Sequence, residues 1–600
     1  MREVFKTAVR RASALCALGM VALLTACSEE VKEEEVPDTT YAQPEEAGYA
    51  SGRGSVQAPP LRFTDITERS GIDFLHENGA VGDKWMPETM GSGCALFDYD
   101  EDGDLDALLV NSQRWDRTGN ARTRLYENGG NADFVDVTER VGLDVDAYGM
   151  GATVADYDAD GDLDIYITAL GPNVLLRNDA GRFVDVAREA GVLGESWSDD
   201  QGRSNDEWST SAAWLDVDGD SWLDLLVTNY VRWSIETDIY TSLDGKSKSY
   251  ATPQQYPGST PRLYRNRGDG TFAEITEEAG LLLPDGKSMG VAMTDFESDG
   301  LVDLVVTNDT QPNFLLHNLG NGRFAERGLM AGIGYDDTGR ARAGMGVDIA
   351  SIENDGVQSI AIGNFSREAL SLYRQTGEVF VDAAGKAKLV QSTLRPLTFG
   401  LRFFDADFDG FQDLILANGH IEPEINSVQK EITYRQTSQL FWNSGSGRMV
   451  DISEDSGPFF LEELVARGLA AGDVDGDGDL DVLLTTNADR AYLLRNDGPT
   501  GTALAIALRT TGGNRRAIGA LVSVTSGGRT QTQMVRTGAS YLSHSPLELT
   551  FGLGEAEGVE RVAIRWPDGT QESIEGVAAG QRYQIVQGEG IVGTVAFSKL

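Results

Sequence analysis

Asp98-Tyr99-Asp100-Glu101-Asp102-Gly103-Asp104-Leu105-Asp106 decides the architecture of this 600-residue chain, because the same pattern returns six more times. The copies begin at Asp156, Asp216, Asp295, Ser351, Asp405 and Asp473, at spacings of 58, 60, 79, 56, 54 and 68 residues. Repetition at such periods marks an array of like supersecondary units. Carboxylates at positions 1, 3, 5 and 9 of a copy converge only if the backbone curls around a centre. Glycine at position 6 permits that turn, since it lacks the Cβ that disfavours positive φ.

Such a loop offers hard oxygen ligands only, with a backbone carbonyl near position 7 as an addition. The set suits Ca2+, which binds many oxygens in a flexible shell, better than Mg2+, which retains its waters. The expected ligands are Asp98, Asp100, Asp102 and Asp106 in the first loop and Asp156, Asp158, Asp160 and Asp164 in the second. The third offers Asp216, Asp218, Asp220 and Asp224, with Ser221 where Gly is expected, and the fourth Asp295, Glu297, Asp299 and Asp303. Asp405, Asp407, Asp409 and Asp413 serve the sixth, and Asp473, Asp475, Asp477 and Asp481 the seventh. The fifth is degenerate, with Ser351, Glu353, Asp355 and Ser359, so about six calcium sites are expected. An EF-hand is excluded. Leu109 and Ile167 stand where its bidentate Glu belongs, and β-rich runs follow each loop in place of an exit helix.

A formal charge of −44 excludes nucleic-acid binding through basic patches, and much of it sits in these loops. Arg2, Lys6, Arg10 and Arg11 precede a short apolar stretch at 12–26, which reads as a processing signal over 1–26. The stretch ends in Leu24-Thr25-Ala26-Cys27, which resembles a bacterial lipobox. That resemblance implies cleavage before Cys27 and its lipidation, hence membrane attachment in the cell envelope. Ser28, rather than Asp, directs the expectation to the outer membrane, facing the periplasm or the cell surface. Residues 27–60 are acidic and contain Pro and Gly, as a disordered tether would. After processing Cys94 is the one cysteine left besides the anchor, so no disulfide framework forms, and calcium takes over the cross-linking role.

Each repeat continues with a strand, a Leu-x-x-Asn strand, a short Gly turn and a strand opening in Phe. Seven third strands occur (125–128, 175–178, 263–266, 315–318, 372–375, 440–443 and 493–496) but only six fourth strands follow them. Phe63-Thr64-Asp65-Ile66-Thr67 supplies the missing one, matching Phe134-Val135-Asp136-Val137-Thr138. The expected fold is therefore all-β: a seven-bladed propeller over 61–499, closed by its N-terminal strand. Alternating runs at 503–509, 519–525, 531–536 and 560–566 predict a small β-sandwich over 500–590, with 591–600 as a tail.

The acidic loops and their flanks resemble FG-GAP/VCBS repeats, as in the integrin α-subunit propeller. Asn514-Arg-Arg-Ala-Ile-Gly, Gly538-Ala-Ser-Tyr-Leu-Ser-His-Ser, Phe551-Gly-Leu-Gly and Trp566-Pro-Asp-Gly resemble the ASPIC/UnbV domain. Together, over roughly 61–590, they resemble the bacterial form of the cartilage acidic protein family, which implies this architecture and carries no catalytic residues to transfer.

With acidic loops on one rim, the long connections (71–90, 111–123, 191–208, 230–261, 327–343, 384–397 and 418–438) fall on the other. Loops on a rigid scaffold are where binding usually resides. Trp85, Arg114, Trp115, Trp197, Trp208, Trp233, Tyr256 and His420 lie in them and are the expected partner contacts. The four histidines (His76, His317, His420, His544) form no metal-ligand pair, and no nucleophile elbow or phosphate loop stands out. The expected function is a calcium-stabilised, lipid-anchored recognition or adhesion protein, monomeric and not an enzyme, that binds a protein or glycan. The alternatives are an envelope enzyme acting on a glycan or other polymer, and a structural scaffold of an envelope complex.

Overall fold

Each acidic loop joins the first two strands of a four-stranded antiparallel sheet, and seven such sheets follow one another along the chain. In the first, Cys94–Phe97, Asp106–Leu109, Arg124–Asn128 and Phe134–Asp136 are hydrogen-bonded in that order. The computed structural model describes residues 58–118, 121–498 and 502–598. The expected signal peptide and Cys27, with nearly all of the tether, lie outside the described residues.

The innermost strands are Cys94–Phe97, Tyr148–Ala155, Ser209–Leu215, Ser288–Thr294, Gly344–Ala350, Thr398–Phe404 and Ala466–Gly472. Each packs against the next, and the seventh returns to the first, so the sheets are blades of a closed ring. The last blade is completed by Phe63–Asp65, which pairs with Tyr492–Asn496 in a register that sets Phe63 opposite Asn496. The inner strands are buried on both faces, polar side chains such as Thr210, Ser211 and Arg467 included.

The Leu-x-x-Asn motif fastens one blade to the next. The Asn128 side-chain amide donates to Leu105 O in its own loop and to Val474 O in the seventh. Asn178 bridges Leu163 O and Tyr99 O in the same way, and Asn266 bridges Leu223 O and Tyr157 O. Asn443 and Asn496 likewise reach back to Ile352 O and Ala406 O of the preceding loops.

After residue 501 two further four-stranded sheets form a sandwich. One holds Leu549–Gly554, Thr502–Arg509, Gln581–Val586 and Gly590–Ala596; the other holds Arg529–Met534, Leu521–Ser526, Gly558–Arg565 and Gln571–Ala578. Gly590–Ala596 corrects the expectation of a tail from 591. Its backbone pairs along the edge of Gln581–Val586, satisfying an edge that would otherwise be open. One apolar core runs from the blades into the sandwich, joining Trp214, Leu226 and Val302 to Leu504, Val522 and Trp566.

The sandwich also sends a segment into the ring. Residues 537–545, between its strands Arg529–Met534 and Leu549–Gly554, enter the central channel and touch all seven inner strands. Thr537 Oγ1 accepts from Trp214 N and lies 3.7 Å from Met293 Sδ, and a Cβ on Gly538 would fall 2.9 Å from Val291 O. Ser540 exchanges backbone hydrogen bonds with Val347, and the Tyr541 ring lies 5.0 Å from Phe399. Leu542 O accepts from Ala152 N, Ser543 Oγ from Leu469 N, and His544 N donates to Cys94 O. Tyr541 and Leu542 are almost completely buried. The channel is therefore filled by the chain's own C-terminal module.

Candidate metal centres and the two faces of the ring

In five loops the carboxylates at positions 1, 3 and 9 have oxygens within 4.8 Å of one another: Asp98/Asp100/Asp106, Asp156/Asp158/Asp164, Asp216/Asp218/Asp224, Asp405/Asp407/Asp413 and Asp473/Asp475/Asp481. Three local causes build each cluster. The first Asp curls the loop by accepting from the position-6 amide, as Asp98 Oδ2 does from Gly103 N at 3.0 Å and Asp405 Oδ2 from Gly410 N at 2.9 Å. In the third loop Ser221 fills that place with φ 71° and still donates to Asp216 Oδ2 at 2.9 Å, so the missing glycine does not undo the loop. The last Asp is fixed by two backbone amides: Asp106 accepts from Tyr99 N and Asn128 N, both at 2.8 Å. Asp164, Asp224, Asp413 and Asp481 repeat the arrangement.

Position 5 stands apart from these clusters. Asp102, Asp160, Asp220, Asp409 and Asp477 each accept, through Oδ1, from the amide two residues on. The clustered carboxylates are short of partners. Asp156 Oδ1, Asp405 Oδ1 and both oxygens of Asp475 are buried with no hydrogen-bond donor among the described residues. Burial first, then the neighbouring carboxylates, pushes Asp156 up to about 7, and burial pushes Asp106 and Asp224 up to about 8. A divalent cation held by hard oxygens removes both costs, so the residues present fit calcium.

The fourth and fifth loops do not gather their carboxylates in this way. Arg565 of the sandwich pairs with Asp295. Glu297 turns to Arg327 at 2.6 Å, and Asp303 accepts from His317 at 3.1 Å. Asp299 instead receives the Leu301 amide. In the fifth loop Arg374 pairs with Asp355 and lies 3.5 Å from Glu353, while Lys386 approaches Glu353 at 3.6 Å. Guanidinium and ammonium groups thus stand where a cation would be needed. The fourth loop differs here from the sequence expectation, with Arg565, Arg327 and His317 each engaging one of its carboxylates.

The acidic rim is also where the sandwich sits. Arg516 pairs with Glu101 and donates to Gly161 O at 2.9 Å, Arg529 donates to Asp409 O at 2.5 Å, and Arg582 donates to Gly103 O at 3.0 Å and lies 3.4 Å from Asp473. Near the fifth loop Arg536 pairs with the buried Asp348 at 2.6 Å. The sequence had no periodic signal for these arginines. What it did show was their sign, in a module following an acidic ring.

On the opposite rim the long loops fold over the ring and pack on one another. Trp85 meets Trp115 edge-on at 5.0 Å, Trp115 stacks on Tyr148 at 4.8 Å, and Trp208 meets Trp233 at 6.2 Å. Trp233, Tyr256 and His420 are 1%, 5% and 1% exposed, and Trp197 and Trp208 are buried as well. The correction to their expected role as contacts is physical: they fill the wide end of the ring. Trp233 Nε1 donates to Asp238, the Tyr256 hydroxyl accepts from Ile239 N, and His420 Nδ1 accepts from Glu422 N. Trp85, Arg114 and Trp115 are half-buried, Arg114 lying 3.4 Å from Asp116. The exposed apolar side chains of this rim are others, including Val81, Ile235, Tyr240, Leu243, Tyr335 and Val428.

The ASPIC and UnbV family model matches residues 510–592, and the FG-GAP-like repeat model matches 90–167, 244–306 and 424–484. Cartilage acidic protein 1 of Homo sapiens is 24% identical over 560 residues, which covers 89% of this chain and 76% of that protein. The Mus musculus protein of the same name is 25% identical over 547 residues, covering 87% and 76%. An Agrocybe aegerita structure, described as recognising non-reducing terminal N-acetylglucosamine, aligns at 16% identity and a TM-score of 0.34, over 67% of this chain and 87% of that one. A likeness that loose has no bearing on ligand.

Proposed function

We infer, for a chain that shares the FG-GAP and ASPIC/UnbV architecture of its cartilage acidic protein 1 relatives, that it is a calcium-stabilised recognition protein held in the cell envelope by a lipid on Cys27. In this reading the chain is an extracellular, adhesion-type repeat protein that binds calcium, is anchored in the outer membrane and meets its partner on one face of the ring.

One observation carries the choice of face. The sandwich occupies the acidic rim and its 537–545 segment fills the channel, so the long-loop rim is the broad surface left to a partner. The buried tryptophans make that rim rigid, and the exposed Ile235, Tyr240 and Tyr335 give it apolar contact points. Rigid loops lose little entropy on binding, which favours recognition. The partner is a protein or glycan of the extracellular side.

The test is binding of calcium-loaded protein to a glycan array and to envelope and matrix proteins, beside a Tyr240→Glu/Tyr335→Glu variant. At least tenfold weaker binding by the variant, at unchanged melting temperature, is expected. A partner that binds both proteins equally places recognition elsewhere and overturns the reading of the face.

A further inference from the structure

Where the sandwich meets the first and second acidic loops, the two modules leave a cavity of 340 Å3 between them. Three guanidinium groups line it, Arg509, Arg516 and Arg582. Two are committed. Arg516 pairs with Glu101, and Arg582 donates to Glu548 at 3.1 Å and to Gly103 O at 3.0 Å. Arg509 is not matched in this way. It reaches Glu101 at 3.6 Å, through the same oxygen that Arg516 already holds, and its other charge neighbours are Asp98 and Asp156 of the acidic loops.

A second, independent observation comes from the channel segment. His544 also lines the cavity, is 2% exposed, and its Nδ1 has no partner. The ring bonds the Thr537 backbone, and burial keeps it neutral by pulling its pKa down to about 3. A neutral imidazole that donates at one nitrogen presents a lone pair at the other, which calls for an O–H or N–H donor. An unsatisfied buried acceptor is costly to leave bare. The remaining walls hold Asp98 of the first loop, Glu101 and Glu548, which Arg516 and Arg582 already neutralise, and apolar surface from Leu508, Leu547 and Tyr583 among others.

We propose that this cavity is a binding site for a small organic carboxylate that also carries a hydroxyl, with the carboxylate on Arg509, the hydroxyl donating to His544 Nδ1 and an apolar face against Tyr583 and the leucines. A guanidinium fork suits a carboxylate in geometry as well as charge. The site is formed by both modules together, and it does not depend on the partner proposed for the opposite rim.

The experiment is calorimetric titration of the calcium-saturated full chain with two hydroxy acids, glucuronate and 4-hydroxyphenylacetate. Glucose, 4-hydroxyphenylethanol and phenylacetate serve as counterparts lacking one group each. At least one hydroxy acid is expected to bind, its alcohol counterpart not measurably, and phenylacetate more weakly than 4-hydroxyphenylacetate if that acid binds. Arg509→Gln should weaken binding at least tenfold at unchanged melting temperature. Thr594→Trp, placed on the exposed edge strand beside the cavity mouth, should block it without touching a charged group. If neither acid binds, or if one binds equally to both variants, for instance on a loop calcium ion, the proposal is overturned. Should Arg509→Gln fail to fold, Thr594→Trp alone decides.

Discussion

Aspartates of one loop do different work. Asp164 receives the Tyr157 and Asn178 amides, and Asn178 in turn bridges two loops, so this pair organises the blade edge whether or not a cation is bound. Asn178→Ala strips donors from two carbonyls and should lower unfolding stability by about 2 kcal/mol, equally with calcium and with chelator. Asp158→Asn, by contrast, should lower stability only when calcium is present; chemical denaturation in both conditions separates the two roles. His544 gives the pH dependence. Its folded pKa, near 3, lies below the ordinary 6.5, so its contribution is fully present above pH 6.5 and is lost as pH falls towards 3. The stability advantage of the wild type over His544→Gln should therefore shrink by about 1.4 kcal/mol per pH unit below 6.5. The aspartates were legible in the sequence because their spacing repeats. His544 was legible only as part of a motif, since its environment comes from strands more than four hundred residues earlier.

At the scale of elements, the inner strands and the channel segment depend on each other. A Cβ on Gly151 would fall 2.7 Å from Leu542 O, and one on Gly468 would fall 2.6 Å from Ser543 Oγ and 2.7 Å from Ser92 O. Six of the inner strands also carry a register shift near these positions, which bends them around the channel. Cys94, with its thiol 3.6 Å from Ser543 Oγ, is buried beneath the segment, and burial pushes it up to about 12. It is thus a built-in reporter. Tyr541→Ala removes a buried ring and the Met90 O hydrogen bond, and should cost about 4 kcal/mol. Its Cys94 should react with a thiol reagent at least tenfold faster under native conditions; equal rates would mean that the segment does not guard the channel. The strands themselves were readable from alternation and turns. The use of 537–545 was not, because a loop's sequence does not say what it is inserted into.

For the whole molecule, the ring and the sandwich form one mechanical unit through their shared apolar core. Five clusters of like-charged carboxylates resist being brought together, and a ligand that binds only the folded state stabilises it by about 2.7 kcal/mol per site at a hundred times its dissociation constant. Chelation should therefore lower the melting temperature by about 10 °C or more, with magnesium a poor substitute. An unchanged melting temperature would remove calcium from the account. The sequence by itself determined the number of blades, the position of the acidic loops and the closing role of Phe63–Asp65, because these rest on local periodicity and on one strand short in the count. It also determined which rim holds the long loops. Only the tertiary structure decided that the sandwich covers the acidic rim, that Arg565 pairs with Asp295 in the fourth loop, and that the loop tryptophans face inward. Those outcomes depend on residues far apart in sequence meeting across an interface, and no short-range pattern encodes such a meeting.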